Sequence, residues 1–449
     1  MRDWTSPIEY FSDVIMRGPT LGCMFMCMAA ALLGVIIYLK KQSLLGEALS
    51  HACYPGIMMA VVFVSLLDSQ LSDMQIEIAS VTGAFLSALL GLALVNVLKR
   101  FFSFKEDICL AFTLSSFFGL GILLASRLQF TNTSLYKKAQ SYLFGQAATM
   151  TDNHIYLYAL LAVITVLLIV LFFKEIQAVY FDESFARLVG IKVFFLNIAI
   201  FFLVLTVVVV GIRCVGVVLM SAMFVAPVVA ARQITHRLSV LFLLSAVFGT
   251  TSGFLGNYLS LELSRELSLL YQRNLSIPTG PMVVLTSSFF ALFALFFSPR
   301  QGLVMRAFRV LSFRYRCVFE NITKTLLYLE KGSRDVDFLL LSKYQGVSRL
   351  FLYFVLASLR IKKHVYWENG FLLLTSKGRK KALRVLRLHR LWEVYLVRQL
   401  GMGQKRVHHN AEMIEHILTP ELEEALTLLL DDPKFDPHLS PIPSIEETR

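Results

Sequence analysis

Charge is what this chain is short of. Lys, Arg, Asp and Glu make up 16% of its 449 residues, against roughly 25% in an ordinary soluble protein. That shortage excludes a chain that is water-soluble throughout. Cysteine is sparse too. The six cysteines form no Cys-x-x-Cys pair and no regular spacing, which excludes a disulfide framework or a zinc-knuckle pattern. Five of them (Cys23, Cys27, Cys53, Cys109, Cys214) lie in apolar runs and read as small packing residues. No G-x-x-x-x-G-K-[ST] run occurs. The chain therefore has no phosphate-cradling loop, and any use of ATP must be borrowed from another subunit. The first residues, "MRDWTSPIEYFSDVIMRGPT", lack the basic, apolar and small-residue order of a cleaved signal and are expected in the mature chain.

What is present is apolar sequence in long runs. Hydrophobic residues make up 56% of the chain, and the mean hydropathy is +0.64. About 20 apolar residues cross the ~30 Å hydrocarbon layer of a membrane. Segments 18–39, 44–67, 78–98, 108–126, 155–173, 193–212, 214–231, 238–260 and 281–298 meet that description. Segment 214–231 is short, follows its neighbour across Arg213 alone, and also suits a re-entrant helix, so eight to ten spans are expected. Basic residues fall on alternate loops: Lys40–Lys41, Lys99–Lys105, Lys174–Lys192, Arg232–Arg237 and Arg300–Arg316. These loops are cytoplasmic if the N-terminus is outside. The loop at 127–153 fits less cleanly, because it carries Arg127, Lys137 and Lys138.

The long runs stop after "FFALFALFFSPRQG". From Pro299 onward there are 25 Lys/Arg and 16 Asp/Glu, so nine of the twelve net positive charges lie in the last third. The expected boundaries divide the chain into an all-α membrane domain (1–298), a basic linker (299–318) and two further domains, 319–376 and 377–449. The last two are cytoplasmic on this topology.

Inside the second apolar run stands "GEALSHACYPG". Glu47 and His51 are four residues apart and share a helix face. His51 is ten residues past Lys41, about 15 Å along a helix axis, near the bilayer midplane. A carboxylate at that depth is costly unless paired or facing water. Pro55 would free the carbonyl of His51. A carboxylate, an imidazole and a free carbonyl suit a transient site for a divalent cation. Two such helices in a symmetric pair would supply four side-chain ligands, which favours a dimer. The plainer alternative is that both residues bond neighbouring helices and carry nothing.

"GEALSHACYPGI" resembles the Asp-x-x-Ser-His-x-x-x-Pro-Gly segment of the manganese/zinc/iron ABC permease family, with Glu47 where the family commonly has Asp. "SYLFGQ" (141–146), "YFDESFARLVGI" (180–191) and "CVGVVLMSAMFVAPVVAAR" (214–232) resemble further segments of that family, in order, and the likeness covers about 15–298. The resemblance implies that Glu47 and His51 belong to an ion pathway. It also implies that 180–191, through Asp182, Phe185, Ala186, Leu188 and Gly190, docks an ATPase subunit. An extracytoplasmic metal-binding protein and a second permease subunit are the other partners it implies. On its own, 180–191 starts at a helix-start signal, Asp182, and stops at Gly190. It reads as a short helix carrying Phe185, Leu188 and Val189 on one side, fit for a partner's groove; a plain surface helix is the alternative.

The last third begins with a helical stretch, "CVFENITKTLLYLE" (317–330). Asn369–Gly370 between apolar flanks signals a hairpin. Helices followed by a hairpin follow the order of a winged helix-turn-helix. Between Arg360 and Arg390 there are ten Lys/Arg and one acid, Glu368. Such a patch suits nucleic-acid phosphates, and anionic lipid headgroups are the alternative. The expected phosphate contacts are Arg349, Arg360, Lys362, Lys363, Lys377 and Arg379. Next comes a ligand cluster: His389 and Glu393 at i, i+4, then His408, Glu412, Glu415 and His416. Mixed imidazole and carboxylate ligands suit Mn²⁺, Fe²⁺ and related ions, whereas a solvated helix face with incidental ion pairs would also carry such residues.

"LTSKGRKKALRVLRLHRLWEVYLVRQLG", "VHHNAEMIEHIL" and "DPKFDPHLSPIP" resemble the diphtheria toxin repressor family of iron and manganese regulators, over about 315–443. With the helix and hairpin order, the resemblance implies a winged helix-turn-helix-like domain at 319–376 and a helical metal-binding and dimerisation domain at 377–449, with one metal site at His389, Glu393 and His408 and another at Glu412, Glu415 and His416. Two departures stand out. The first helix of that family supplies carboxylate or thioether ligands, and here Asn321 and Lys324 take those places, with Glu320 one position away. The expected recognition helix, "SRLFLYFVLASLR", offers little polar surface beyond Ser348, Arg349 and Tyr353.

The expected function is the membrane permease subunit of an ATP-driven importer in a bacterial inner membrane. Its cargo is a divalent transition metal, Fe²⁺ or Mn²⁺ ahead of Zn²⁺, and its tail is a metal-dependent DNA-binding regulator. In a second reading the tail is a cytosolic metal-sensing gate that never touches operator DNA. A proton- or sodium-coupled carrier is a third.

Overall fold

The computed structural model describes residues 4–67, 73–131, 133–273, 275–331, 341, 347–368 and 371–448. The chain divides into two compact units, Met1–Met305 and Arg306–Arg449.

The first unit is all helical. A short α1 (Glu9–Ser12) precedes α2 (Val14–Leu39), α3 (Leu45–Leu67), α4 (Asp73–Phe102), α5 (Glu106–Thr131) and α6 (Thr133–Phe144). Then come α7 (Asp152–Leu171), α8 (Phe173–Phe181), α9 (Glu183–Leu188), α10 (Val193–Val215), α11 (Met220–Ile234), α12 (Leu238–Tyr271) and α13 (Thr279–Phe297). Eight of the nine expected apolar segments lie along helices, and 214–231 is the exception. Among the described residues, seven helices are long and apolar enough to cross a membrane.

The centre of this unit is α2. Asp13 caps its start, accepting from the amides of Ile15 at 2.7 Å and Met16 at 3.2 Å. The helix then runs buried for most of its length against α7, α11 and α12. Thr20 on α2 accepts from Asn257 on α12 at 2.9 Å, a polar tie inside an apolar core. A second group packs α3 on α4 and α5.

The short segment at 214–231 resolves into a break followed by a short helix. α10 ends at Gly216, whose φ is +99°, and α11 begins only at Met220. At ~1.5 Å per residue its 15 residues reach about 22 Å, less than the ~30 Å of hydrocarbon. Backbone freed at such a break must be satisfied by protein. Residues 142–146 do this: Val217 N donates to Tyr142 O at 2.9 Å, and Gln146 N donates to Arg213 O at 2.8 Å. The two strands of backbone approach so closely that a Cβ on Gly216 would lie 2.4 Å from the Leu143 carbonyl oxygen. Two of the family-like segments therefore meet across one break.

In the second unit, α14 (Leu303–Lys331), α15 (Arg349–Ile361), a β1–β2 hairpin (Val365–Glu368 and Phe371–Leu374), α16 (Ser376–Arg398), α17 (Gln404–Ile414), α18 (Pro420–Leu429) and α19 (Ile445–Thr448) follow one another. The basic stretch expected as a linker is helical from Leu303 onward, and the boundary between units falls in the first turn of α14. The hairpin pairs Val365 with Leu374 and Glu368 with Phe371, and its turn, Asn369–Gly370, lies outside the described residues. Ile322, Leu326, Leu352, Val355, Leu359, Val365, Leu372 and Leu374 join α14, α15 and the hairpin in one core. Ser348 caps α15. The inward face of α15 is Leu352, Val355, Leu356 and Leu359, while Leu350, Tyr353, Phe354 and Ile361 are exposed.

Candidate metal centres and docking surfaces

In the second unit, α16 brings His389 and Glu393 inward on successive turns, both 2% exposed, and α17 lays His408 over them. His389 Nε2 lies 3.2 Å from Glu393 Oε1, His408 Nδ1 lies 2.9 Å from the same oxygen, and the two nitrogens are 2.9 Å apart. Ligand bonds of about 2.1 Å at right angles place neighbouring donor atoms about 3 Å apart, so these three atoms fit one face of an octahedral ion. They form the one group of three or more such ligands found close enough to share an ion among the described residues. His389 Nδ1 is held by Glu415 Oε2. That bond puts the proton on Nδ1 and leaves the Nε2 lone pair for a metal. Burial works against the charged form of His389, but the carboxylates of Glu393 and Glu415 outweigh it and raise its pKa.

The second expected set does not assemble. Glu412 is exposed, and α17 ends at Ile414, so Glu415 and His416 sit in the turn beyond it. The other oxygen of Glu415 is taken by Lys324 Nζ at 2.5 Å. His416 Nδ1 bonds Glu320 Oε2 at 2.7 Å, and Lys381 Nζ pairs with Glu320 Oε1 at 2.7 Å. Burial raises the pKa of both Glu320 and Glu415, and their bonded partners overcome this and lower it. The departure at Lys324 was thus the visible sign of a cation already in place, and Glu320 reaches His416 from its neighbouring position.

Of the expected phosphate contacts, Arg349, Arg360, Lys362, Lys363, Lys377 and Arg379 are exposed. Arg379 pairs with Glu330 at 2.6 Å, and Lys362 lies over the Tyr315 ring at 5.2 Å. Part of the basic run is spent internally. Arg387 is 1% exposed and donates to Pro443 O at 2.7 Å, Arg384 pairs with Glu423 at 3.2 Å, and Arg390 with Asp436 at 3.3 Å.

In the first unit, His51 is 6% exposed and sits edge-on to Phe118 of α5 at 4.5 Å. Its Nδ1 is buried, with no hydrogen-bond partner among the described residues. Glu47, one turn earlier, is half-buried. α3 continues through Pro55 as one helix. Asp182 caps α9, accepting from Ser184 N at 2.9 Å and Phe185 N at 3.0 Å. Gly190 ends it with φ +88°. Phe185, Leu188 and Val189 are exposed, and Ala186 is buried against the unit's own core. Lys40, Lys99, Arg187 and Lys192 line one cleft, so basic residues of three expected cytoplasmic loops gather together. One cluster went unread in the sequence: Glu77 at the start of α4 pairs with Arg213 at the end of α10 and with His154 of α7 at 3.2 Å. Its members are far apart in the chain and share no motif.

Residues 12–298 match the ABC 3 transport family. The chain belongs to that family. Residues 375–444 match the iron dependent repressor, metal binding and dimerisation domain. Among relatives of this ABC 3 chain, a "probable metal transport system membrane protein" of Chlamydia trachomatis is 34% identical, over 96% of this chain and 97% of the relative. The "manganese transport system membrane protein MntC" of Bacillus subtilis is 31% identical, over 85% of this chain and 84% of that one. The solved structure "PsaBC from Streptococcus pneumoniae in complex with Fab" superposes with a TM-score of 0.53 at 26% identity, covering 66% of this chain and 96% of that one. The ABC 3 chain thus joins a polytopic helical permease domain to a diphtheria toxin repressor-like domain.

Proposed function

We propose that this chain is the permease subunit of an ATP-driven importer for a divalent first-row metal ion in a bacterial inner membrane. The observation that carries the reading is His51: a buried imidazole with an orphaned nitrogen, one turn from a carboxylate, on a helix deep in the ABC 3 domain. A buried polar atom with no partner is rare and asks for an explanation, and a passing cation supplies one. ATP hydrolysis belongs to a separate ATPase subunit seated on α9, whose exposed Phe185 and Leu188 suit an apolar groove. The gathering of Lys40, Lys99, Arg187 and Lys192 at one cleft favours that end as cytoplasmic. An extracytoplasmic binding protein delivers the ion, and a second permease subunit completes the passage.

The tail binds the imported ion at His389, Glu393 and His408. An oxygen- and imidazole-rich set ranks Fe²⁺ and Mn²⁺ above Zn²⁺. Loaded tail contacts DNA phosphates through Arg349, Arg360, Lys362, Lys363 and Lys377. One observation favours the alternative, a cytosolic metal gate without DNA. The outer face of α15 carries Leu350, Phe354 and Ile361, which cannot read base edges by hydrogen bonds, and leaves only Arg349 and Tyr353 beside them to do so. A gel shift of the purified full-length protein with Mn²⁺, repeated across salt concentrations, separates the two. Regulator function predicts a metal-dependent shift that weakens steeply with salt, and the gate predicts none.

A further inference from the structure

We infer that Lys324 is a built-in cation occupying the place of a second metal ion, so that the C-terminal unit holds one ion per chain and seats its first helix without metal. The inference rests on the proposed metal site at His389 and goes beyond it by assigning the neighbouring cluster a different chemistry.

Glu320, Glu415 and His416 are all ligand types, all at most 8% exposed, and they come from α14 and from the turn after α17. Their carboxylates are nevertheless already served by lysines, while His416 Nε2 is buried with no hydrogen-bond partner among the described residues. Lys324 Nζ sits 2.5 Å from Glu415 Oε1, and His416 Nε2 lies 3.6 Å from that same oxygen. An ion bound between Glu415 and His416 would share its carboxylate with an ammonium group at contact distance, and like charges that close repel strongly in a protein interior. Lys381 holds Glu320 at 2.7 Å from the other side. Charge points the same way. The connected groups comprise the carboxylates of Glu320, Glu393 and Glu415 and the ammoniums of Lys324 and Lys381. With neutral imidazoles they carry one net negative charge. One divalent ion leaves one net positive charge, and two would leave three.

The lysine also has a mechanical role. It is on α14, and Glu415 is beyond α17, so their bond is one joint between the first helix and the ligand helices, beside the bonds of Glu320 to His416 and Lys381. Because Glu415 also holds His389 Nδ1, an ion at the His389 site reaches α14 through a single carboxylate. The joint itself forms without metal.

Bound Mn²⁺ per chain, counted by mass spectrometry after equilibrium dialysis of the full-length protein in nanodiscs, tests this by differences between variants. His389→Ala should lose one ion, His416→Ala should lose none, and Lys324→Glu should gain one that adding His416→Ala removes again. Loss of an ion from His416→Ala alone would overturn the inference, as would Lys324→Glu gaining none. Loss of no ion from His389→Ala would instead sink the metal-site reading beneath it. Hydrogen exchange covers the case in which Lys324→Glu misfolds. In wild type, protection across 317–330 should be the same in EDTA and in Mn²⁺, and protection appearing only with Mn²⁺ would contradict a metal-free joint.

Discussion

Glu415 holds His389 by Nδ1 with one carboxylate oxygen and Lys324 with the other. That relationship commits both oxygens of an expected metal ligand to protein partners. It predicts that Glu415→Gln weakens Mn²⁺ binding at the His389 site by about 10- to 100-fold, the usual penalty for losing an outer-shell partner. Removing His389 or Glu393 should abolish binding there. Isothermal titration of the full-length protein reads both.

The broken helix at Gly216 makes a second prediction. Its φ of +99° disfavours any L side chain, and a Cβ there would overlap the Leu143 carbonyl oxygen. Gly216→Ala should therefore cost about 1–3 kcal/mol. A lowered unfolding midpoint in detergent, with loss of uptake, is the expected outcome.

Coupling to the ATPase should depend on the exposed apolar face at the end of α9. Phe185→Ser with Leu188→Ser leaves the Asp182 cap intact, so the helix should persist. Metal uptake should fall at least tenfold, ATPase subunits should fail to copurify, and the amount of permease in the membrane should not change.

The tail should lose stability through His364 as pH falls below about 6.5. Burial, then the ammoniums of Lys377, Lys381 and Lys362, hold this imidazole below its ordinary range. Its ring stands edge-on to Phe319. A folded pKa below the unfolded value of about 6.5 contributes stability above that value and loses it as pH falls through the folded pKa. His389 has the opposite sign: its raised pKa contributes below about 6.5 and is lost as pH rises. The depressed carboxylates of Glu320, Glu393 and Glu415 contribute throughout this range and lose their contribution only as pH falls below about 4.3. His364→Gln should thus flatten the pH dependence of hydrogen exchange in 364–390, while a curve unchanged from wild type would contradict the assignment.

Much of this architecture was legible in the sequence, because lipid and helix geometry leave few choices. Apolar runs of about 20 residues have to be helices, and each expected span but 214–231, which holds the break at Gly216, lies along one. The Asp182 cap and Gly190 stop delimit α9 because capping chemistry is local. His389 and Glu393 were legible as a pair because they share one helix face, and the structure brings His408 to them. What failed to show is what depends on distant partners. Glu415 read as a ligand on the face of α17, but the helix ends one residue before it, and its two oxygens are claimed by α14 and α16. Four basic residues of the presumed phosphate surface (Lys381, Arg384, Arg387 and Arg390) are consumed by Glu320, Glu423, Asp436 and a buried carbonyl. The linker expected at 299–318 carries too few helix breakers to stay extended, and α14 runs through it.

The central claim is that a metal ion crosses by way of the imidazole and carboxylate of α3. Metal-resolved accumulation, by mass spectrometry of cells co-expressing the ATPase and carrying either wild type or His51→Ala, tests it most directly. The account predicts that His51→Ala reaches the membrane at normal levels and accumulates no more Mn²⁺ or Fe²⁺ than cells without the permease. Accumulation equal to wild type would contradict it.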